Sequence, residues 1–200
     1  MFVTFEGIDG SGKTTQAALL AAWAREQGHE VVTVREPGGT RLGERIRELL
    51  LDGPEMTAWA EAALFAAARA ELAERVIRPA LARGVWVICD RYVDSSLAYQ
   101  GSARGLGVEA VRELNTTATS GLLPDRTFVL LLDPALALSR RDGSPDRIER
   151  EDDDFVRRVD AGYRELVASA PERYAVLDAA LPPEELARTV RREVGRLAPA

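Results

Sequence analysis

The chain contains a single lysine, and its surroundings predict a phosphate-binding loop. Lys13 lies in a segment that fits the pattern GxxxxGK[ST], preceded by an apolar run and followed by a helical pattern, which is the context the motif requires. The segment consists of Gly7, Ile8, Asp9, Gly10, Ser11, Gly12, Lys13 and Thr14. Its glycines let backbone N–H groups turn toward phosphate oxygens, Lys13 can reach β- and γ-phosphates, and the Thr14 hydroxyl can ligate Mg²⁺. The motif therefore predicts a site for a nucleoside triphosphate.

A charged pair, Asp90 and Arg91, follows another apolar run of the chain. The carboxylate suits Mg²⁺ held partly through water, and the guanidinium offers a fork of donors to a phosphate. An enzyme that transfers a phosphoryl group to an acceptor already carrying a phosphate needs a cation for that phosphate, close to the aspartate that binds the metal. The alternative is a purely structural ion pair between Asp90 and Arg91.

The sole lysine also narrows the class of nucleotide-binding protein. A GTPase reads guanine through an Asn-Lys-x-Asp motif, and the chain has no second lysine with which to form one. A phosphoryl-transfer enzyme is the favoured interpretation. The alternative from a different class is a regulatory ATPase that signals through a protein partner.

Two residues on the helix predicted after Thr57 could recognise a planar base. Phe65 and Arg69 are four positions apart, so both project from one helical face. Phe65 could stack on a base, and Arg69 could donate to a carbonyl at its edge. Packing of Phe65 in the core is the alternative, and the spacing alone favours it.

Five short runs have the composition of β-strands, and helical patterns separate them. The runs are Phe2–Phe5, Glu30–Val34, Val85–Cys89, Thr127–Leu132 and Tyr174–Leu177. Four are continuously apolar, as strands buried on both faces of a parallel sheet should be. The alternation predicts an α/β fold, with a five-stranded parallel sheet flanked by helices in one domain spanning residues 1–200. Ligands bind at the carboxyl ends of such strands, and polar residues follow all five.

One arginine-rich stretch, residues 139–150, interrupts the alternation. It has Gly, Ser and Pro at its centre and arginines on both sides. We expect a lid that closes arginines over a triphosphate. A charge-balanced surface loop is the alternative.

Composition argues against several classes of partner. The formal net charge of −6 over 200 residues disfavours a general affinity for nucleic acids or anionic membranes. The one cysteine, Cys89, lies in an apolar run, so we expect a buried thiol and no disulfide framework. No signal peptide or membrane-spanning segment is recognisable, and a cytoplasmic location is expected.

Taken together, the motifs resemble those of the thymidylate kinase (dTMP kinase) family. The matching blocks are Phe5 to Gln16, the Arg-Glu-Pro-Gly-Gly-Thr block from Arg35 to Thr40, and Asp90-Arg91-Tyr92 with Ser95, Ser96 and Tyr99 to Gly101. Their order and spacing match from Met1 to about Leu197. The resemblance implies the three-layer fold of P-loop nucleoside monophosphate kinases. It also implies direct transfer of a phosphoryl group from ATP, with Mg²⁺, to dTMP.

The resemblance further implies which residues meet the phosphates and the metal. Asp9 would hold the 3′-hydroxyl of dTMP, and Arg91 would bind the dTMP phosphate with help from Arg47. Glu36 would lie beside that phosphate. The implied ATP set is Gly7, Ile8, Asp9, Gly10, Ser11, Gly12, Lys13, Thr14, Thr15 and Arg140, with Thr14 and Asp90 for Mg²⁺.

At the base, the resemblance implies that Phe65 stacks on thymine and that Arg69 donates to its O4. Tyr99 would press against the sugar C2′, so that a ribose 2′-hydroxyl clashes. The implied dTMP set is Asp9, Glu36, Arg47, Phe65, Arg69, Arg91, Ser95, Ser96, Tyr99 and Gln100.

The transferred group needs further positive charge, and the family has two ways to supply it. Some members carry an arginine within the P-loop, where this chain has Gly10. The bacterial type that the chain resembles uses the lid, and residues 146–149 resemble its lid block. The expected order of the candidates is Arg147, Arg141, Arg140 and Arg150. The implied catalytic set is Lys13, Asp9, Arg91, Arg147 and Arg141.

The nearest alternative is another nucleoside monophosphate kinase that acts on dUMP-like or modified pyrimidines. Such a kinase would share the fold and differ only in the base and sugar pocket.

Members of the family are usually homodimers that pair through helices, and the helix expected over residues 58–81, with Trp59, could form such an interface.

Overall fold

The computed structural model describes residues 1–140 and 145–197, and it confirms the predicted α/β architecture. The strands are β1 (Phe2–Glu6), β2 (Val31–Arg35), β3 (Trp86–Asp90), β4 (Arg126–Leu131) and β5 (Tyr174–Asp178). They form one parallel sheet in the order β2-β3-β1-β4-β5. Each strand lies within about one residue of its predicted bounds, because long apolar runs between helical patterns are the strongest signal a sequence carries.

Helices connect the strands and cover the sheet. They are α1 (Lys13–Glu26), α2 (Arg41–Asp52), α3 (Ala58–Leu72), α4 (Arg78–Ala82), α5 (Val93–Ser96), α6 (Val108–Ala118), α7 (Pro134–Ser139), α8 (Asp153–Ser169) and α9 (Pro183–Leu197). Two segments with wider, π-type turns, Ala73–Ile77 and Leu97–Ala103, continue α3 and α5. The single helix expected over residues 58–81 is therefore α3, a π-type segment and α4. Composition predicts a helix there but not the change from α-type to π-type turns.

The central strands are buried on both faces, as their continuous apolar composition predicts. Every residue of β1 is buried, whereas β2, at one edge of the sheet, is half exposed. Cys89 is fully buried in β3, as expected. No helix in the described part of the chain is both long and apolar enough to cross a lipid bilayer.

The register of the sheet assembles the polar residues that follow the strands. Phe5 of β1 lies opposite Asp90 of β3, and Asp90 lies opposite Arg35 of β2. The P-loop leaves β1 at this edge and enters α1. Residues far apart in the sequence thereby converge at the carboxyl ends of the strands, where ligands of such sheets bind.

Candidate active site

A cavity of about 860 Å³ opens at the carboxyl ends of the strands. The P-loop and the start of α1 form its middle, and residues from α2, α3, the turn after β3 and the segment after β5 form its walls. The predicted residues on its wall are Asp9, Gly10, Ser11, Gly12, Lys13, Thr14, Thr15, Glu36, Arg47, Phe65, Asp90, Arg91, Ser95, Ser96, Tyr99, Gln100 and Arg140. Gly7 and Ile8 lie behind this surface, and their carbonyl groups accept hydrogen bonds from Arg91 and Lys13.

The glycines of the P-loop are required by its backbone. Gly7 and Gly10 have φ of 138° and 83°, in the region that side chains disfavour. A Cβ atom at Gly7 would lie 2.5 Å from the carbonyl oxygen of Leu130, and one at Gly10 would lie 2.3 Å from that of Ala137. The loop therefore packs against β4 and α7 so closely that neither position has room for a side chain.

Lys13 is held inside the loop. Its Nζ donates to the carbonyl oxygen of Ile8 at 2.9 Å and lies 3.7 Å from Oδ1 of Asp9. Burial lowers the pKa of Lys13 to about 8, and the nearby charge of Arg91 acts in the same direction. The charge of buried Lys13 is therefore only partly balanced by Asp9. A triphosphate in the cavity would supply the remaining negative charge.

Thr14 and Asp90 provide oxygen atoms suited to a magnesium ion. The Thr14 hydroxyl donates to Oδ2 of Asp90 at 2.5 Å, and both residues line the cavity. The described residues contain no group of three or more His, Cys, Asp and Glu side chains that could enclose a metal by themselves. Two oxygen ligands of this kind would suffice for Mg²⁺, which keeps several waters and uses one or two protein oxygens together with substrate phosphates.

Arg91 is fixed above the P-loop. It adopts a positive φ of 70°, and it donates to the Gly7 carbonyl at 3.0 Å and to Oδ1 of Asp9 at 2.6 Å. The Tyr99 hydroxyl, 3.3 Å from Arg91, donates to the other Asp9 oxygen at 3.2 Å. Arg91 therefore pairs with Asp9 of the P-loop and not with Asp90, the alternative considered from the sequence.

Glu6 is a buried acid that the sequence analysis did not select. It accepts hydrogen bonds from the Tyr92 backbone N–H at 2.7 Å, the Ser95 hydroxyl at 2.5 Å and the Tyr163 hydroxyl at 2.9 Å. Burial, followed by repulsion from Asp94, raises the pKa of Glu6 to about 7. The available signal was an acidic residue at the end of an otherwise apolar strand. Glu6 fixes Ser95 and the turn that carries Arg91.

The base end of the cavity combines an aromatic face with polar side chains. Phe65 packs against a small apolar cluster that includes Leu50, as the core interpretation expects. It is also partly exposed on the cavity wall, where stacking on a base stays a prediction. Ser96 and Gln100 line the same wall, and Nε2 of Gln100 donates to Glu61 at 2.9 Å.

Arg69 lies beneath this wall, with 1% of its surface exposed, and is not part of the cavity lining. Its Nε donates to Glu36 at 2.7 Å, and its Nη2 donates to the Tyr92 carbonyl at 2.9 Å and lies 2.6 Å from Glu36. Its Nη1 donates to Ser96 at 2.9 Å and to Asn115. Four hydrogen bonds and one ion-pair contact thereby engage all three nitrogens of the guanidinium. The expected bond to a thymine O4 would require one of these contacts to be exchanged.

Glu36, the partner of Arg69, keeps one oxygen free. Its Oε1 is buried and has no hydrogen-bond partner, and the residue lines the cavity. Burial raises the pKa of Glu36 to about 7 despite the charge of Arg69. A free, buried acceptor beside Pro37 is available to a ligand hydroxyl or to a bound water.

Two further arginines hold opposite parts of the cavity wall. Arg47 of α2 donates to the Pro37 carbonyl at 2.9 Å, on the side of Glu36. Arg140, at the end of α7, donates to the Ala179 carbonyl at 3.0 Å, on the side of Leu181. Each backbone anchor uses only part of the guanidinium.

The structure describes three of the four candidate lid arginines, and the expected order of their roles stays a prediction. Arg141 lies outside the described residues. Arg147 donates to the Leu50 carbonyl at 2.8 Å and to Glu61 at 2.7 Å, and it is not part of the wall of the P-loop cavity. Arg150 is exposed and also absent from that wall. Of the described lid arginines, Arg140 alone lines the cavity, because the ion pair with buried Glu61 holds Arg147 elsewhere.

Comparison with known proteins gives a consistent result. A family model described as thymidylate kinase matches residues 5–190. The chain is 51% identical over 189 residues to a thymidylate kinase of Deinococcus radiodurans, covering 93% of this chain and 92% of that protein. It is 50% identical over 202 residues to one of Symbiobacterium thermophilum, covering all of this chain and 94% of that protein. The crystal structure of thymidylate kinase from Ehrlichia chaffeensis superposes with a TM-score of 0.75 at 37% identity, over 88% of this chain and 91% of that one. This chain belongs to the thymidylate kinase family.

Proposed function

We propose that the chain phosphorylates dTMP to dTDP, with ATP as the donor and Mg²⁺ as the cofactor. The observation that carries this proposal is the single cavity in which the P-loop lies between two differently built ends. One end carries Phe65, Ser96 and Gln100, and suits a pyrimidine. The other end carries Arg140 and Leu181, and suits the adenine of the donor.

On the acceptor side, Arg91 binds the dTMP phosphate and Asp9 accepts from the sugar 3′-hydroxyl. The hydrogen bonds from Arg91 to Gly7 and Asp9 support this role because they fix the guanidinium before the substrate arrives. Tyr99, held by the same carboxylate, would face the sugar and exclude a 2′-hydroxyl. Arg47 adds positive charge from α2.

On the donor side, the P-loop N–H groups and Lys13 bind the β- and γ-phosphates. Thr14 and Asp90 would hold Mg²⁺, which would neutralise charge on the phosphates. The acceptor is a phosphate oxygen that is already deprotonated at neutral pH. No general base is needed, and positioning together with charge neutralisation lowers the barrier.

A lid arginine supplies the remaining positive charge at the transferred group. Arg147, Arg141 and Arg140 are the candidates. Arg147 must exchange its bonds to Glu61 and the Leu50 carbonyl for this role, whereas Arg140 needs a smaller movement because it already lines the cavity.

The active protein is a homodimer in the cytoplasm in this proposal. Trp59 on α3 is 50% exposed, which supports a helical interface on that face. Light scattering of the purified chain tests the dimer, and Trp59→Glu should shift it toward the monomer.

The proposed activity is tested by ADP release with ATP and Mg²⁺, with dTMP, dUMP, UMP, dCMP and AMP offered separately. We expect rapid turnover with dTMP, weaker turnover with dUMP and almost none with UMP. A preference for UMP or AMP would overturn the assigned acceptor, and ATP hydrolysis that ignores every acceptor would support a regulatory ATPase.

A further inference from the structure

Glu61 lies at the centre of a cluster of polar and charged side chains behind the base end of the cavity. This side chain of α3 is 1% exposed, and it receives hydrogen bonds from Gln100, Arg104 and Arg147. A buried carboxylate is costly unless every oxygen is satisfied. Here the hydrogen bonds from Gln100, Arg104 and Arg147 outweigh the effect of burial, which alone would raise the pKa of Glu61, and the net shift is downward. Glu61 is therefore an anion in the folded protein.

An ionised carboxylate dictates which way the Gln100 amide points. Gln100 offers a donor at Nε2 and an acceptor at Oε1, and a carboxylate can only accept. Nε2 consequently faces Oε1 of Glu61 at 2.9 Å, and the opposite orientation would bring two acceptors together. Gln100 also lines the cavity. Its carbonyl oxygen is thus the atom left for a ligand.

The position of Glu61 is secured independently of the lid. Arg104 donates through Nε to one Glu61 oxygen at 3.2 Å and through Nη2 to the other at 3.1 Å. Arg104 is itself held by Glu151 at 2.6 Å and lies over the Phe155 ring. If Arg147 leaves Glu61, this fork keeps the carboxylate in place.

We propose that Glu61 is a positioning residue that makes Gln100 present its carbonyl oxygen to the acceptor base, thereby selecting bases with a ring N–H. The inference rests on the proposed function. Thymine and uracil carry a hydrogen at N3, which can donate to this oxygen. Cytosine has an unprotonated N3 that needs a donor, and it leaves the oxygen unpaired. A site built for one pattern rejects the other because buried polar groups remain unsatisfied.

The test is Glu61→Gln, which keeps the shape and removes the charge. Either orientation of Gln100 then becomes possible. We expect the ratio of kcat/KM for dTMP to that for dCMP to fall at least about tenfold. If dCMP turnover is too slow to measure, its competitive inhibition constant replaces kcat/KM. An equal loss with both nucleotides would mean that Glu61 has only a structural role, and would overturn the inference.

Two comparisons isolate the route through Gln100. Glu71→Gln removes a carboxylate of the same helix that pairs with Arg75 and not with Gln100, so the ratio should stay unchanged. In a Gln100→Ala background, Glu61→Gln should change the ratio no further. A tenfold change in either comparison would contradict the inference. Absence of dTMP turnover in the unmodified protein would instead refute the proposed function.

A measurement on the unmodified chain avoids any loss of folding in the variants. Neutron diffraction from deuterium-exchanged crystals distinguishes the ND₂ group of Gln100 from its carbonyl oxygen. We expect ND₂ on the Glu61 side. ND₂ facing the cavity would overturn the inference.

Discussion

The phosphate end of the cavity and the arginine-rich segment predicted to form a lid are organised differently in the described residues. At the phosphate end, Lys13, Asp9 and Arg91 are joined to one another and to backbone carbonyls of the P-loop, all within the wall of one cavity. In the lid, Arg147 is joined to Glu61 and Leu50, away from that wall. Both arrangements pair the charges, but Lys13 and Arg91 lie on the wall of the P-loop cavity whereas Arg147 does not.

We expect this difference to separate binding from catalysis. Preformed cations at the phosphate end bind ligand charge without reorganisation, which favours affinity. Charge that arrives only with lid movement acts mainly on the transition state, which favours turnover.

The largest effect is expected from Arg147→Ala. If Arg147 moves to the transferred phosphoryl group, kcat should fall about 10³-fold, as for arginines in other phosphoryl-transfer enzymes. The Kd for dTMP should change far less. Steady-state kinetics and titration calorimetry measure the two quantities. Arg104→Met is the control, because it breaks the other ion pair of Glu61 and should largely retain kcat. A loss confined to dTMP affinity would remove Arg147 from catalysis.

A smaller effect, on binding, is expected from Arg91→Lys. Lysine keeps the charge but cannot form the fork that joins Gly7, Asp9 and a phosphate. We expect kcat/KM for dTMP to fall about 10²-fold, with the KM for ATP changing little. Arg45→Lys on the exposed face of α2 is the matched control. Equal effects on both substrates would argue against assigning Arg91 to the acceptor.

The smallest effect concerns pH and Lys13. Its pKa in the empty site is about 8, below the ordinary 10.5, so the neutral amine accumulates above pH 8. Bound phosphates favour the ammonium form, and ATP binding above pH 8 must therefore take up a proton. We expect ATP affinity to fall about tenfold from pH 7 to pH 9. Lys13→Met should lose this dependence, and its persistence there would assign the titration to another group.

The sequence predicts the fold and the phosphate end because their signals are local. The strands are apolar runs, and the P-loop combines a strand, a glycine-rich turn and a helix within a few residues of Lys13. The positive φ of Gly10 favours glycine within the loop itself. Local rules of this kind need no tertiary information.

The sequence does not predict the partners of the buried charges. Arg69 and Phe65 share a helical spacing that suggests a shared ligand, yet Arg69 turns to Glu36 and Asn115, which are 33 and 46 residues away. Arg147 and Glu61 are 86 residues apart. Such pairs depend on how helices pack, and composition alone does not encode it. The untested roles of these residues remain predictions.

A crystal structure with dTMP and a non-hydrolysable ATP analogue tests the central claim most directly. The account predicts that Arg91 keeps its bonds to Gly7 and Asp9, that Lys13 leaves the Ile8 carbonyl for the phosphates, and that Arg147 leaves Glu61 for the γ-phosphate. An Arg147 that still pairs with Glu61 in this complex would contradict the account and move the catalytic charge to another arginine.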